Sequence, residues 1–417
     1  GSSPTYIGFG IAMVVAVVVF SREPGLRCDC LALGRACSSL WIALGLFVLI
    51  ACSVMAWHRV PSIRSWGELK WIFFFLGFVV LVLGFFREWR FLESRKTRAF
   101  LGFLFAVTSF SCFAAVYQYL TQTDPFRDAL GQAGTVNLKR GHGLLRNPVP
   151  FAKLMGVIAL LGVSGFLSSI VAGRRRWAVL SALLTIACGV AVLTSHSRGA
   201  WVAMAVVGIA GLVIMPSRFR KTWTIALLAC AVAGIVTVSS VPALQHRVLT
   251  IFEDTHHQAN RTRIEQWHIN WKILENNPLG VGFDGNDRRE DRWYEELGYE
   301  KRVTGHSHNE FIEIAVATGW PGLACYLFVT LLMLWLPWRA LRKLDIEARP
   351  VLAFLLCSSL LVQIFVNGAV MTDQMDTQSR MVMSLAWAVA LVGWWVCESG
   401  RHSGGARLAE GRRSEES

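Results

Sequence analysis

Apolar residues occur along this chain in long unbroken blocks, not in the one-faced stripes of a water-soluble domain. Eleven blocks stand out: Tyr6–Phe20, Leu40–Trp57, Trp71–Phe86, Leu101–Leu120, Met155–Gly173, Ala178–Thr194, Ala200–Met215, Thr222–Val241, Phe311–Trp338, Val351–Met371 and Met381–Val396. A helix needs about 20 predominantly apolar residues to cross a bilayer, and these blocks are of that order. The polar connections alternate in kind. Arg87–Arg98, Arg174–Trp177, Ser217–Lys221 and Arg339–Arg349 are short and basic, which assigns them to the cytoplasm. Thr121–Lys153, Ser195–Gly199, Pro242–Glu310 and Thr372–Arg380 then face the other side, the periplasm in a bacterium. The pattern predicts an all-α polytopic membrane protein with eleven or twelve transmembrane helices. The odd number of blocks puts the N-terminus outside, or a further helix precedes Gly1.

The longest polar connection, Pro242–Glu310, is too long to be a structureless loop. Within it, Arg263–Glu275 places Ile264, Trp267, Trp271 and Leu274 at three- and four-residue spacing. That is an amphipathic helix suited to lie on the membrane surface or on the spans. The chain therefore divides into an N-terminal helix bundle (1–241), a periplasmic loop region (242–310), C-terminal transmembrane helices (311–397) and a disordered, cytoplasmic Gly/Ser/Arg/Glu-rich tail (398–417).

Composition agrees. The chain is 54% hydrophobic and 17% charged, against about 25% charged in a soluble domain. Its 17 tryptophans and 25 phenylalanines fit residues that collect at membrane interfaces. A net charge of +13 would suggest nucleic acid in a soluble protein. Here much of it is loop Lys/Arg on the cytoplasmic side, and no nucleic-acid partner is expected. Most of the ten cysteines lie singly inside apolar blocks, where they behave as small apolar residues. Neither a disulfide framework nor a structural metal is expected.

The candidate chemistry lies on the outward side. Ser307-His308-Asn309-Glu310 has the S-x-x-E spacing of a capping box, with Ser307 as N-cap, Glu310 at N3 and His308 as the first helical residue. The helix macrodipole there favours the neutral imidazole, the form that acts as a base. Three basic clusters share that side: Lys139 to Arg146, including Arg140; Ser195-His-Ser-Arg198-Gly-Ala200; and Asn260-Arg-Thr-Arg263. Arg198 sits in a tight turn at membrane depth, where a charge needs a distant partner or an anionic ligand. Arginine is the side chain best shaped for phosphate. Together these clusters read as a phosphate site beside a base.

Taken together, the motifs resemble the O-antigen ligase and polymerase superfamily of bacterial envelope glycosyltransferases. Arg140-x-x-Gly143 followed by Asn147-Pro148 is similar to the family's R-x-G-x-F-x-N-P segment. Ser195-x-Ser-Arg198-Gly-Ala200 is like its S-R-G-A turn. Arg263-x-x-x-Trp267 followed by Asn277-Pro-Leu-Gly280-Val-Gly282 is like R-x-x-L-W and P-L-x-G-x-G. His308-Asn309, nine residues, then Gly319-x-x-Gly322 is like the ligase H-N-x9-G-x-x-G motif. The departures are Val149, where a second Asn is common, and Glu265-Gln266, which replace apolar positions.

The resemblance implies a glycosyltransferase-C-like helical fold in the inner membrane. It also implies a glycan donor on undecaprenyl pyrophosphate and a sugar hydroxyl of the lipid A core oligosaccharide as acceptor. Transfer would be periplasmic, without metal or other cofactor. Chemistry agrees with this. A pyrophosphate leaves without a general acid, and arginines (Arg198 and Arg263, with Arg140, Arg146 or Lys139 adding to them) stabilise its growing charge. One base, His308, suffices and predicts inversion at the anomeric carbon. No facing carboxylate pair suits double displacement. Asn309, Glu310 and Ser307 would support the base. Rival readings are a protein O-oligosaccharyltransferase, an O-antigen polymerase and, from another class, a lipid-linked glycan transporter or flippase.

Overall fold

The computed structural model describes residues 18, 20–58, 69–87, 95–124, 140–145, 147–252, 258–283, 294–299, 309–347, 349–368 and 381–399. The described residues are helical with no strand among them. The helices are α1 (Pro24–Ala36), α2 (Ser38–Trp57), α3 (Lys70–Arg87), α4 (Arg95–Thr121), α5 (Pro148–Val171), α6 (Arg175–Thr194), α7 (Arg198–Ile214), α8 (Ser217–Ser240), α9 (Pro242–Phe252), α10 (Gln258–Asn276), α11 (Glu310–Lys343) and α12 (Pro350–Gly368), followed by α13 (Met381–Ser399). Eight of these are long and apolar enough to cross a membrane, and α3 and α7 contain shorter apolar helices. Ten of the eleven apolar blocks thus become helices. The block Tyr6–Phe20 lies almost wholly outside the described residues, as does the tail beyond Ser399.

The surface of the bundle is as apolar as its core. Phe73, Phe113, Leu120, Val213 and Ile235 are each more than 60% exposed. Water would not tolerate apolar area on this scale, so the bundle is a multi-pass membrane protein. Interior contacts use small residues where helices come closest. A Cβ on Gly162 of α5 would stand 2.4 Å from Thr185 Oγ1 of α6. The hydroxyl of Thr185 in turn donates to Ser181 O (2.9 Å) and Ala159 O (3.4 Å). On the other side of the bundle, aromatic rings join four helices. Tyr326 of α11 packs against Phe47 of α2, Trp71 of α3 and Trp387 of α13.

Backbone groups freed inside the membrane find substitute partners, as a medium without water requires. Pro337 has no N–H for the carbonyl of Met333, and Gln363 Nε2 of α12 donates to that carbonyl at 3.2 Å.

The loop contacts sort the helix ends into two sets. Gly141 N–H donates to Thr194 O at 2.9 Å, and His58 Nε2 lies 3.0 Å from Gly280 O. At the opposite ends of the helices, Arg218 meets Glu347 at 3.3 Å. The first and third pairs each join connections that the alternation of basic and non-basic loops assigns to one side, and the second brings His58, just after α2, to the Pro242–Glu310 connection.

Candidate functional site

Two of the three basic clusters meet. The helix α5 starts at Asn147-Pro148: the Asn147 side chain accepts from Val149 N–H at 2.9 Å and Pro148 occupies the first turn, a strong helix start. The Asn-Pro pair of the first motif is therefore structural. Just upstream, residues 140–144 are wedged between α4 and the end of α6. A Cβ on Gly141 would come within 2.6 Å of Ala115 O, and Gly143 has φ +55°, so both positions require glycine. This wedge carries the Arg140 side chain across to the second cluster, where its Nε donates to Ser195 O at 2.8 Å.

The second cluster is the turn between α6 and α7. Ser195 Oγ donates back to Val192 O at 2.6 Å. His196 takes φ +52° and is buried, with its ring 5.3 Å from that of Tyr119. Ser197 is the N-cap of α7 and its side chain makes no capping bond. Arg198 is the first residue of α7 and is half-buried. Two arginines are thus brought to one turn at the start of a helix, a position that favours anions. Lys139 and Arg146, from the same clusters, lie outside the described residues.

Arg263 stands on a different wall. It is half-buried on α10, which packs on the first part of α11. The buried face of α10 is not the expected one. Ile269, Ile273 and Leu274 point inward with Glu265, Gln266 and Asn270, whereas Ile264 and Trp271 are 41% and 50% exposed. Each of the three buried polar side chains has a hydrogen bond. Arg261 donates to Glu265 at 2.8 Å, Gln266 bonds Tyr294, and Asn270 Nδ2 donates to Gln266 O at 2.8 Å. The departures Glu265-Gln266 are therefore inward-facing packing residues. The helix has two apolar faces, and the spacing Ile264, Trp267, Trp271, Leu274 mixes them. The outer face joins the span: Trp271 packs edge-on against Trp320 at 5.8 Å. Trp320 heads the exposed stripe Leu327, Phe328, Leu331 and Trp335 of α11. Near that outer face, Lys272 and the Trp271 indole hold the exposed Glu275 carboxyl below its usual range.

The start of α11 also differs from expectation. Asn309, not Ser307, is the N-cap, and its Oδ1 accepts from Phe311 and Ile312 N–H at 3.0 and 3.3 Å. The reason is competition between overlapping cap signals: Asn is at least as good a cap as Ser, and it lies two residues nearer the apolar run. His308 is consequently the residue before the cap rather than the first helical residue. His306, Ser307 and His308 lie outside the described residues. Glu310 becomes the first residue of the helix, and its carboxylate accepts from the Tyr326 hydroxyl at 2.8 Å, which ties the helix start to the aromatic core. Asn309→Ala is expected to lower stability by about 1 kcal/mol and Asn309→Asp to preserve it. Thermal unfolding of the purified protein checks both.

Ten residues into α11 the helix breaks. Gly319 has φ 70° and ψ −175°, a region essentially closed to other residues. Pro321 offers no N–H to Ala317 O, and the Trp320 N–H is turned away from Val316 O. Both carbonyls are taken by the Asn277–Gly282 turn. Val281 N–H donates to Val316 O and Gly282 N–H to Ala317 O, each at 2.9 Å, while Trp320 N–H donates to Pro278 O at 3.0 Å. These three freed groups are thereby paired. The third and fourth motifs are two halves of one backbone lock. Its second glycine, Gly322, makes room for the Thr318 hydroxyl, which a Cβ there would approach to 2.1 Å.

Among the described residues, no group of three or more His, Cys, Asp or Glu side chains could hold a metal ion. Sequence reasoning missed His58, Tyr326, Gln118 and Asp124. Each acts on a partner far away in the chain, so no local spacing marks them.

Comparison with known proteins bears on the same elements. The chain matches no curated protein. Residues 182–327 match the family model described as O-antigen ligase. This window holds the Arg198 turn, α10, the Asn277–Gly282 lock and the Asn309 cap, and over it the chain is similar to the O-antigen ligase family.

Proposed function

We propose that this protein transfers a glycan from undecaprenyl pyrophosphate to a sugar hydroxyl of the lipid A core, on the periplasmic face of the bacterial inner membrane. His308 takes the proton from the attacking hydroxyl. Arg198 and Arg140, with Arg263 from α10 and with Lys139 or Arg146, stabilise the departing pyrophosphate. Asn309 and Glu310 hold the segment that follows His308, and Ser307 precedes it. The reaction needs no metal, and a single base gives inversion.

The observation that carries this reading is the convergence of Arg140 on the Arg198 turn, where Arg140 Nε reaches Ser195 O at 2.8 Å. Charge develops on the leaving pyrophosphate, and donors positioned in advance around that charge are worth most when water is excluded. A break in a span such as that at Gly319 is a feature of transporters, which favours the flippase reading. Here, however, the backbone of residues 278–282 fills the break, so it serves packing rather than a ligand.

The test is transfer by purified protein, with undecaprenyl-pyrophosphate-linked glycan as donor and rough lipopolysaccharide as acceptor. A ladder on lipopolysaccharide that persists in EDTA is expected. Loss in EDTA that Mg²⁺ or Mn²⁺ restores would overturn the metal-free mechanism. Glycosylated protein or free polymer would move the assignment to the protein transferase or the polymerase, and absence of any chemistry to the transporter.

A further inference from the structure

Beside the wedge that carries Arg140 lies a buried pair that the mechanism leaves unused. His142 is fully buried, and its Nε2 lies 3.7 Å from Oδ2 of Asp124, itself 3% exposed. Asp124 follows the end of α4. One turn back on that helix, the buried Gln118 clasps the same segment with both ends of its amide. Its Nε2 donates to Gly143 O at 2.9 Å, and its Oε1 accepts from His142 N–H at 3.2 Å. On the far side of the segment, Gly141 N–H donates to Thr194 O at 2.9 Å. Residues 141–143 are therefore gripped from α4 and from the end of α6.

Burial decides what this histidine does. An imidazole with no solvent exposure cannot take a proton from an acceptor hydroxyl, so His142 is no rival to His308 as base. The Asp–His pair bridges the segment that follows α4 and the wedge, so a change at either member bears on where the wedge sits against α4. Arg140 is two residues away, and its guanidinium is aimed at the Ser195 carbonyl from that wedge. Shifting the wedge would move the guanidinium off the turn that also carries Arg198.

We propose that Asp124 and His142 form a positioning pair for Arg140, setting the affinity of the pyrophosphate site without touching the substrate. The proposal rests on the reading of Arg140 as a pyrophosphate ligand. It adds two residues outside the matched family window: His142, at an unspecified position of the Arg140-x-x-Gly143 segment, and Asp124, upstream of every motif.

The experiment measures binding of undecaprenyl pyrophosphate to the detergent-purified protein, and KM and kcat for the lipid-linked donor. The proteins compared are wild type, Asp124→Asn, His142→Gln, Arg140→Ala and the double variant Asp124→Asn/Arg140→Ala. Both substitutions in the pair are expected to weaken donor binding and raise KM by about 10- to 100-fold, the scale of a small misplacement of a binding group, and to lower kcat no further than Arg140→Ala does, because the pair acts on the departing pyrophosphate only through Arg140. The double variant is expected to bind no more weakly than Arg140→Ala alone, because the pair acts through Arg140. Wild-type donor affinity in Asp124→Asn would overturn the proposal. So would a double variant whose loss is the product of the two single losses. Failure of both pair variants to give folded protein by thermal unfolding would assign the pair to folding instead. Unchanged affinity in Arg140→Ala is a separate outcome: it removes Arg140 from the site and the proposal with it.

Discussion

Gly319→Ala is expected to unfold the outer part of α11 or to dislodge the Asn277–Gly282 turn from it. Two effects add. The backbone at Gly319, φ 70° and ψ −175°, lies in a region that costs a residue with a Cβ about 1–3 kcal/mol. The added Cβ would also stand 2.4 Å from Pro278 O and from Leu279 C. These are backbone atoms that cannot swing aside as a side chain would. Relief requires separating the two segments, which breaks the bonds from Val281, Gly282 and Trp320 and leaves their carbonyls without partners. Each buried unsatisfied group costs about 1–3 kcal/mol. The whole lock is thus at risk, and transfer activity should fall with it. Gly280→Ala should behave the same way from the other side, since its Cβ would meet Gly319 N at 2.5 Å at φ +89°. Gly45→Ala and Gly234→Ala provide the contrast. Both lie within helices and a Cβ at either meets nothing within 4 Å, so they should be neutral or stabilising by up to about 1 kcal/mol. Thermal unfolding of the four variants checks the set. Gly319→Ala unfolding at the same temperature as Gly45→Ala would refute the lock.

This lock also shows how far the sequence could be read. The spans were legible because length and hydropathy alone determine what a bilayer accepts, and ten of the eleven blocks appear as helices. The start of α5 was legible in Asn147-Pro148, since a cap followed by proline has one local meaning. Gly319-Trp-Pro321-Gly322 announces a break, but its partner is a turn some forty residues upstream that is joined to it by backbone hydrogen bonds. Backbone bonds leave little trace in side-chain identity, apart from the glycines that allow the approach. The face of α10 was misread for a related reason. Buried Gln266 and Asn270 look like surface residues until their bonds to Tyr294 and to the helix's own carbonyl are seen. The Arg140–Ser195 contact brings together two clusters that spacing could only place on the same side of the membrane. Asp124 and His142 lie on different elements with no periodicity linking them, so only the fold could pair them.

His308→Ala is expected to reduce glycan transfer by about 10²- to 10⁴-fold, the range that a positioned general base supplies, while donor binding survives. The argument is partly one of elimination around the start of α11. The acceptor hydroxyl must lose a proton, and the nearby described carboxylates have other duties. Glu310 accepts from Tyr326 at 2.8 Å, and Glu313 is buried within the helix packing. Glu310→Gln should accordingly have a far smaller effect than His308→Ala. The residue next to His308 is held firmly. Asn309 Oδ1 accepts two amides of the first turn, and that turn is anchored to the aromatic core through Tyr326. A base must be held in this way if it is to meet a hydroxyl within hydrogen-bond reach. In the proposed mechanism the arginines act on the other bond. Arg198→Ala should lower kcat by about 10²- to 10³-fold, as removal of a donor to developing negative charge does, and should weaken the donor complex as well. The two variants therefore separate the roles: donor affinity falls with Arg198 and holds with His308, whereas turnover falls with both. Near wild-type turnover in His308→Ala would end the assignment of the base. Loss of donor binding in that variant would make His308 part of the binding site instead. With turnover lost and binding retained, proton removal is assigned to the segment before Asn309, and leaving-group stabilisation to the turn where Arg140 and Arg198 meet.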